Sequence, residues 1–233
     1  MIREARHAGV AADALIPVGD IRRFEPAVSS IDLLGIAPES EHEAVLASVA
    51  RLPIVTASKC KEARTLAVST ERGPLVLHLA PPGDAGAALA WHTGSRRHVA
   101  MLRRRAEDRG LRFDNARLMA ADGSAVSCSS EDELYDRLDL PYITPELRAG
   151  DDELTAAEHG QIPELVQERH IRGDLHMHST WSDGRDSTGR MVLASKQLGY
   201  EYVAITDHSQ RAWSSHKLSL EDIPKQRAEI ESL

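Results

Sequence analysis

The sequence predicts an α/β protein, and three observations carry that reading. Short runs of β-branched and aliphatic residues at 16–18, 31–36, 54–56, 65–69 and 75–79 are interspersed with segments of helical periodicity. From residue 171 onward the order becomes strand, loop, helix, strand, loop, helix, which implies a parallel sheet or barrel with its site at the C-terminal strand ends. His176 and His178, one residue apart, stand at such a strand end.

Taken in order, 16–18 and 31–36 read as strands joined by a segment holding Gly19, Arg22, Arg23 and Pro26. A helix is expected over 41–51, where Ala44, Val45, Leu46, Ala47 and Val49 supply apolar positions. Three strand-like runs follow, with Gly73-Pro74 turning between the last two, so a mixed sheet with flanking helices is the economical arrangement. Pro81, Pro82 and Gly83 break the chain before an alanine-rich helix at 85–91, and Thr93, Gly94 and Ser95 separate it from a second helix at 98–109. A short helix at 131–138 takes Ser129 or Ser130 as its cap and acids in its first turn. Pro141, Pro145 and the polar run from Gly150 to Glu153 then read as an ordered connector, with a boundary near His170. Beyond it, 174–176 and 202–206 are strands, and the helix at 191–198 stops at Gly199.

With 233 residues, 42% of them hydrophobic, the chain can bury real cores. No run approaches the roughly 18 to 20 apolar residues that span a bilayer. The start of the chain, with Arg3, Glu4, Arg6 and His7, lacks the apolar stretch of a secretory signal, so a cytoplasmic home without membrane association is expected. The two cysteines, Cys60 and Cys128, form no C-x-x-C pair and are expected to be buried thiols. A net charge of −8 argues against gripping nucleic acid by bulk charge. A local basic strip remains, since Arg96, Arg97, Arg103, Arg104, Arg105, Arg109 and Arg112 lie close together, although such a helix is by itself also a solvated face.

The metal-ligating pattern is sharper. Residues i and i+2 of a strand share a face about 6 to 7 Å apart, so the imidazoles of His176 and His178 can reach one metal cluster. Asp183, five positions on, and His208, capping the next strand, add the mixed nitrogen and oxygen set expected of zinc, manganese or iron in phosphoester hydrolysis.

The run Gly173, Asp174, Leu175, His176, Met177, His178, Ser179, with Trp181, Ser182, Asp183, Gly184 and then Thr206, Asp207, His208, Ser209, resembles the opening motifs of the PHP (polymerase and histidinol phosphatase) domain. Upstream, Trp91, His92, Thr93, Gly94, Ser95, His98, Leu102 and Arg103 resemble the nucleotide-binding segment of family X DNA polymerases. The segments Glu131 to Leu140, then Pro141 to Arg148, are similar to the connector that joins such a polymerase to a PHP domain in bacterial PolX proteins. The resemblance covers about 16–233. It implies a nucleotidyltransferase palm over 1–90, a thumb- or fingers-like nucleotide-binding subdomain with connector over 91–168, and the first part of a PHP-type distorted β/α barrel over 169–233.

The same resemblance assigns roles. His176, His178, Asp183 and His208 match metal-ligand positions, and Asp174 and Asp207 match positions that orient those histidines or fix the turn. Gly19, Arg22, Arg23, Thr93, Gly94, Ser95 and Arg103 match nucleotide- or DNA-binding positions, so DNA is the expected partner and a nucleotide a further one. The palm departs from its family. The paired-carboxylate segment is Ser29, Ser30, Ile31, Asp32, so Asp32 is the surviving catalytic carboxylate, and Val76 occupies the third position. One carboxylate does not offset the dehydration of two magnesium ions, so magnesium at the palm is not expected. Asp20 stands where the phosphate turn carries serine, Val99 where an asparagine meets the nucleotide, and His92 where the family has an aromatic. The barrel's later strands and a preceding helix-hairpin-helix region are not in the sequence, so a truncated gene product, or a fragment leaning on the connector or a second chain, is expected. The implied function is a PolX-like DNA repair protein with a degenerate polymerase site and a partial metal-dependent 3′-5′ exonuclease or phosphoesterase module. A non-catalytic DNA-binding or interaction module and a small-molecule phosphatase are the alternatives.

Overall fold

A computed structural model describes residues 15–28, 30–213 and 216–233. Ser29 and the N-terminal Arg3, Glu4, Arg6 and His7 lie outside the described residues. The chain divides into two compact units, Met1–Ile162 and Pro163–Leu233.

The first unit is built on a mixed sheet of strands β1 (Leu15–Val18), β2 (Ile31–Ile36), β3 (Val55–Glu62), β4 (Thr65–Thr70) and β5 (Gly73–Ala80), in the order β1-β2-β5-β4-β3. Only β2 and β5 run parallel, and that pairing sets Asp32 opposite Val76 and Leu34 opposite His78. One face of the sheet carries Leu33, Leu66, Val68, Leu75, Leu77 and Leu79, which pack with Leu46 and Val49 of helix α1 (His42–Ala50). On the other face, Val18, Leu34 and Ala80 pack with Ala88 of helix α2 (Ala85–Thr93).

Helix α2 lies close to what it touches. A Cβ at Gly86 would fall 1.8 Å from the Ser130 carbonyl oxygen, so only glycine lets the helix meet the start of α4 (Glu131–Arg137) there. Helix α3 (Arg96–Asp108) begins at Ser95, whose hydroxyl accepts from the His98 N–H, and its apolar stripe of Leu102 and Ala106 joins Phe113, Leu118, Leu134, Tyr135 and Ile143 in a second core. A three-stranded sheet, β6 (Leu111–Asp114), β7 (Arg117–Ala120) and β8 (Ala125–Val126), follows α3. Its first turn holds Asn115 and Ala116 at φ 48° and 61°, the two left-handed residues that a tight hairpin needs. Helix α5 (Glu153–Glu158) closes the unit.

Several expectations change here. Strand β3 extends well past residues 54–56. It is an edge strand of the sheet, exposed along nearly its whole length, so nothing selects the alternation that would mark it in sequence. Cys60 lies on this strand and is exposed, contrary to the expected burial, while Cys128 is buried as expected. Thr93 is not an interruption between helices but the buried last residue of α2, with Gly94 and Ser95 as the break.

In the second unit, β9 (Gly173–Met177) and β10 (Tyr202–Ile205) pair in parallel, connected through helix α6 (Thr188–Gln197), and helix α7 (Ile223–Glu231) follows. Tyr202 covers Gly173 so closely that a Cβ there would meet the ring at 2.5 Å. Met177 and Leu218 are buried, whereas Leu175, on the same strand as Met177, is 66% exposed. Among the described residues no helix is long and apolar enough to cross a membrane.

Candidate functional site

In the second unit the two parallel strands deliver their C-terminal ends side by side. The Thr206 N–H and hydroxyl both donate to the Met177 carbonyl, at 2.8 and 2.9 Å, which sets the chain entering His208 beside the chain leaving His178. The turn after His178 then folds back, with the N–H groups of Ser182 and Gly184 donating to Ser179. Gly184 is required there, because a Cβ would strike the His178 carbonyl oxygen at 2.3 Å.

These elements bring His178, Asp183 and His208 together, with one ligating atom from each within 4.8 Å of the others. Nδ1 of His178 and Nε2 of His208 each stand 3.4 Å from a different oxygen of Asp183, and the two imidazole rings are 4.5 Å apart. The buried Nδ1 of His178 makes no hydrogen bond. A buried imidazole nitrogen that faces a carboxylate without hydrogen-bonding to it is what a metal ligand looks like before the ion arrives, and the donor set of two nitrogens and a carboxylate suits zinc, manganese or iron. His176 stands at the edge of this group, its ring 5.2 Å from that of His178. Asp174 and Asp207 point at backbone and hydroxyl groups and not at imidazoles: Asp174 accepts from the His176 N–H at 2.9 Å, and Asp207 from Ser179 and Ser182.

In the first unit the residues expected at the palm are differently placed. Asp32 accepts from Ser30 at 2.8 Å and meets Nε2 of His78 at 3.2 Å, and His92 of α2 stacks on His78 with ring centroids 3.9 Å apart. Burial works to raise the Asp32 carboxyl, but the hydrogen bonds from His78 and Ser30 outweigh it and hold the group below its usual range. Burial, followed by the neighbouring His78, pushes the His92 imidazole down to about 3. No second carboxylate faces Asp32 across the β2–β5 pair, since Val76 is there.

Arg22 and Arg23 are occupied by protein. Arg22 grips Glu131 with both guanidinium nitrogens, at 3.1 and 2.6 Å, and donates to the Thr93 hydroxyl, while Arg23 donates to the Thr93 carbonyl and to Asp20. Glu131 also binds Arg148, which is fully buried, at 2.5 Å. Burial pulls the Glu131 carboxyl upward, and the bonds from Arg22 and Arg148 more than reverse it. Gly19, at φ 67°, turns the chain against the Asp32 side chain.

A cleft of about 240 Å³ lies beside this cluster, lined by Trp91, Gly94, Arg96, Val99, Ala100 and Arg103, with the Arg103 guanidinium 6.0 Å from the Trp91 ring. The basic strip of α3 is largely answered by acids that sequence reading did not pair with it. Arg97 meets Asp151, Arg103 meets Asp114, Arg105 meets Glu158, and Arg109 meets Asp139. Arg96 and Arg104 make no ion pair among the described residues. Glu131, Arg148 and Glu153 were missed as organising residues. The one signal available was acids and an arginine in a stretch otherwise read as surface connector, yet each is buried.

Residues 88–149 match the DNA polymerase beta thumb family and residues 174–232 match the PHP domain. A DNA polymerase/3′-5′ exonuclease PolX of Bacillus subtilis is 39% identical over 142 residues, which is 60% of this chain and 25% of that protein. The chain therefore spans about a quarter of the length of the relative it matches. With the thumb match followed by the PHP match, and with this identity, the chain is similar to PolX in carrying a segment like the polymerase beta thumb ahead of one like the PHP domain.

Proposed function

We propose that this chain serves DNA repair as a DNA-binding protein with a metal-dependent phosphoesterase site of the 3′-5′ exonuclease type in its second unit and a polymerase site that no longer turns over. The observation that carries the reading is the convergence of His178, Asp183 and His208 on one small volume. Those three residues, with His176 beside them, would hold a divalent ion, and such an ion supplies Lewis acidity toward a phosphoryl oxygen. Manganese, zinc or iron fits the ligands. The degenerate polymerase site is supported by Asp32 facing Val76, and by Arg22 and Arg23 being taken up by Glu131, Thr93 and Asp20. DNA contact would fall to Arg96, Arg104 and the cleft of Trp91 and Arg103, with Thr93, Gly94 and Ser95 shaping its edge.

The test is degradation of single-stranded DNA with manganese by wild type, His178→Ala and His176→Ala, alongside primer extension with magnesium. Hydrolysis lost at least 100-fold in His178→Ala, with no primer extension in the wild type, is the expected result. Extension abolished by Asp32→Ala would overturn the reading of the first unit, and salt-dependent DNA binding without hydrolysis would overturn that of the second. That last outcome is the non-catalytic reading, which Arg96, Arg104 and Arg112, none of them in an ion pair among the described residues, favour.

A further inference from the structure

Asp207 accepts four hydrogen bonds. The Ser179 N–H and the Ser182 hydroxyl donate to Oδ1 at 2.7 and 2.5 Å, and the Ser179 hydroxyl and the Gln226 side-chain amide donate to Oδ2, each at 2.6 Å. These partners are not scattered. Ser179 directly follows His178, Ser182 directly precedes Asp183, and Asp207 itself directly precedes His208. Each member of the converging triad thus has its chain neighbour fixed on one carboxylate. The serines are buried, so their hydroxyls have no water to bond in place of Asp207. The fourth donor, Gln226, comes from α7, and a second bond ties the same helix to the same loop, since the Trp181 indole N–H donates to Glu229 at 2.5 Å.

Asp207, at a position the resemblance already assigns to orienting the histidines, is the hub of these contacts, and we propose that Gln226 of α7 is a positioning residue that holds this hub, and through it His178, Asp183 and His208, in place for a divalent cation. Asp207 is not itself a ligand. A carboxylate engaged by four donors has no lone pair left for a metal, and two anchor points three residues apart on α7, Gln226 and Glu229, fix the helix to the loop between the ligands. The inference rests on the metal reading of the second unit and deepens it. Partners of this kind around a ligand set typically change metal affinity about 10- to 100-fold when removed.

The experiment titrates the metal-free 233-residue chain with cobalt(II), reading the visible d–d bands, for wild type, Asp207→Asn, Gln226→Leu, Ser182→Ala and His178→Ala, with a melting curve of each metal-free protein. Asp207→Asn replaces an acceptor with an amide that must face donors, and should weaken cobalt binding about 100-fold. Gln226→Leu and Ser182→Ala each delete one donor, and should weaken it about 10-fold with altered d–d bands and an unchanged metal-free melting temperature. Should Gln226→Leu lower that temperature, Ser182→Ala decides, because it leaves α7 untouched. Cobalt affinity and spectra equal to wild type in Asp207→Asn and Ser182→Ala would overturn the hub while leaving the metal site standing. Wild type that binds no cobalt, or His178→Ala that binds it equally well, would overturn the metal reading and the hub with it.

Discussion

The first unit joins most of its buried charged groups to one another, leaving Thr144 Oγ1 and Nη2 of Arg148 without a hydrogen bond, and the second turns a set of its groups to a common point. Arg22, Arg23, Glu131 and Arg148 are bonded to one another or to Thr93 and Asp20, and His98 lies buried between Glu153 at 2.7 Å and the Tyr135 hydroxyl at 3.0 Å. In the second unit the four-donor hub at Asp207 is complete, yet Nδ1 of His178 is buried without a hydrogen bond. An unmade buried bond costs about 1 to 3 kcal/mol in either unit, but the guanidinium nitrogen of Arg148 has no lone pair to give a metal, whereas the imidazole nitrogen of His178 has one and stands beside a carboxylate and a second histidine. The ion-pair network of the first unit therefore reads as structure, and the triad of the second as a site.

The sharpest way to break that contrast is to remove the centre of the first network. Glu131→Ala leaves Arg148 buried without its carboxylate and releases Arg22, and removing one partner of a buried pair costs about 3 to 5 kcal/mol. The urea midpoint of the first unit should fall accordingly, with hydrogen exchange in 173–233 unaltered. A midpoint within experimental error of wild type would mean that the network is a solvated surface pairing and that Arg22 is available to a phosphate after all.

The complementary measurement adds metal. Manganese at 100 times its dissociation constant should stabilise the second unit by about 2.7 kcal/mol, through binding to the folded form alone. Slower amide exchange confined to β9, β10 and the loops that carry Ser179, Ser182 and Asp207 is the expected pattern, and it should vanish in His178→Ala. Equal protection in the first unit would point to an ion at Asp32 and sink the contrast from the other side.

What could be read in advance follows the same division. The residues of the candidate site were legible because their spacing is local, an aspartate five residues past His178 and a histidine after the next strand; of the expected histidine pair only His178, just beyond the end of β9, joins the group of three, and His176 stands outside it. The network around Glu131 was not, because its partners come from positions 22, 93, 131 and 148, joined only by the fold. Strands β1, β2, β4 and β5 showed in their aliphatic runs. The β6–β7 hairpin was missed, since its turn is Asn115-Ala116 rather than Asn-Gly, and alanine gives no hint of a left-handed conformation. Arginines on α3 looked like one basic strip because the acids that answer four of them, Asp114, Asp139, Asp151 and Glu158, lie on later segments.

The smallest effect separates the two kinds of histidine by pH. His92 is held neutral down to about 3, first by burial and then by His78, whereas an unfolded chain protonates it near 6.5. Its folded value is depressed, so the stability it contributes is complete above pH 6.5 and is lost as pH falls from there toward about 3. His98 is lowered as well, mainly by burial, and shifts stability in the same direction. The unfolding free energy of the first unit, read by urea titration, should therefore decline on acidification, by about 1 kcal/mol between pH 6.5 and pH 5 once partial exposure of His92 to water is allowed for. His92→Phe removes that proton and keeps a ring to stack on His78, so its midpoint should fall less steeply over the same range. A wild type and a variant with parallel pH profiles would show that His92 is as protonated in the folded unit as in the unfolded chain. The cluster of Asp32, His78 and His92 would then be open to solvent and to ligands, not closed on itself as the rest of the first unit is.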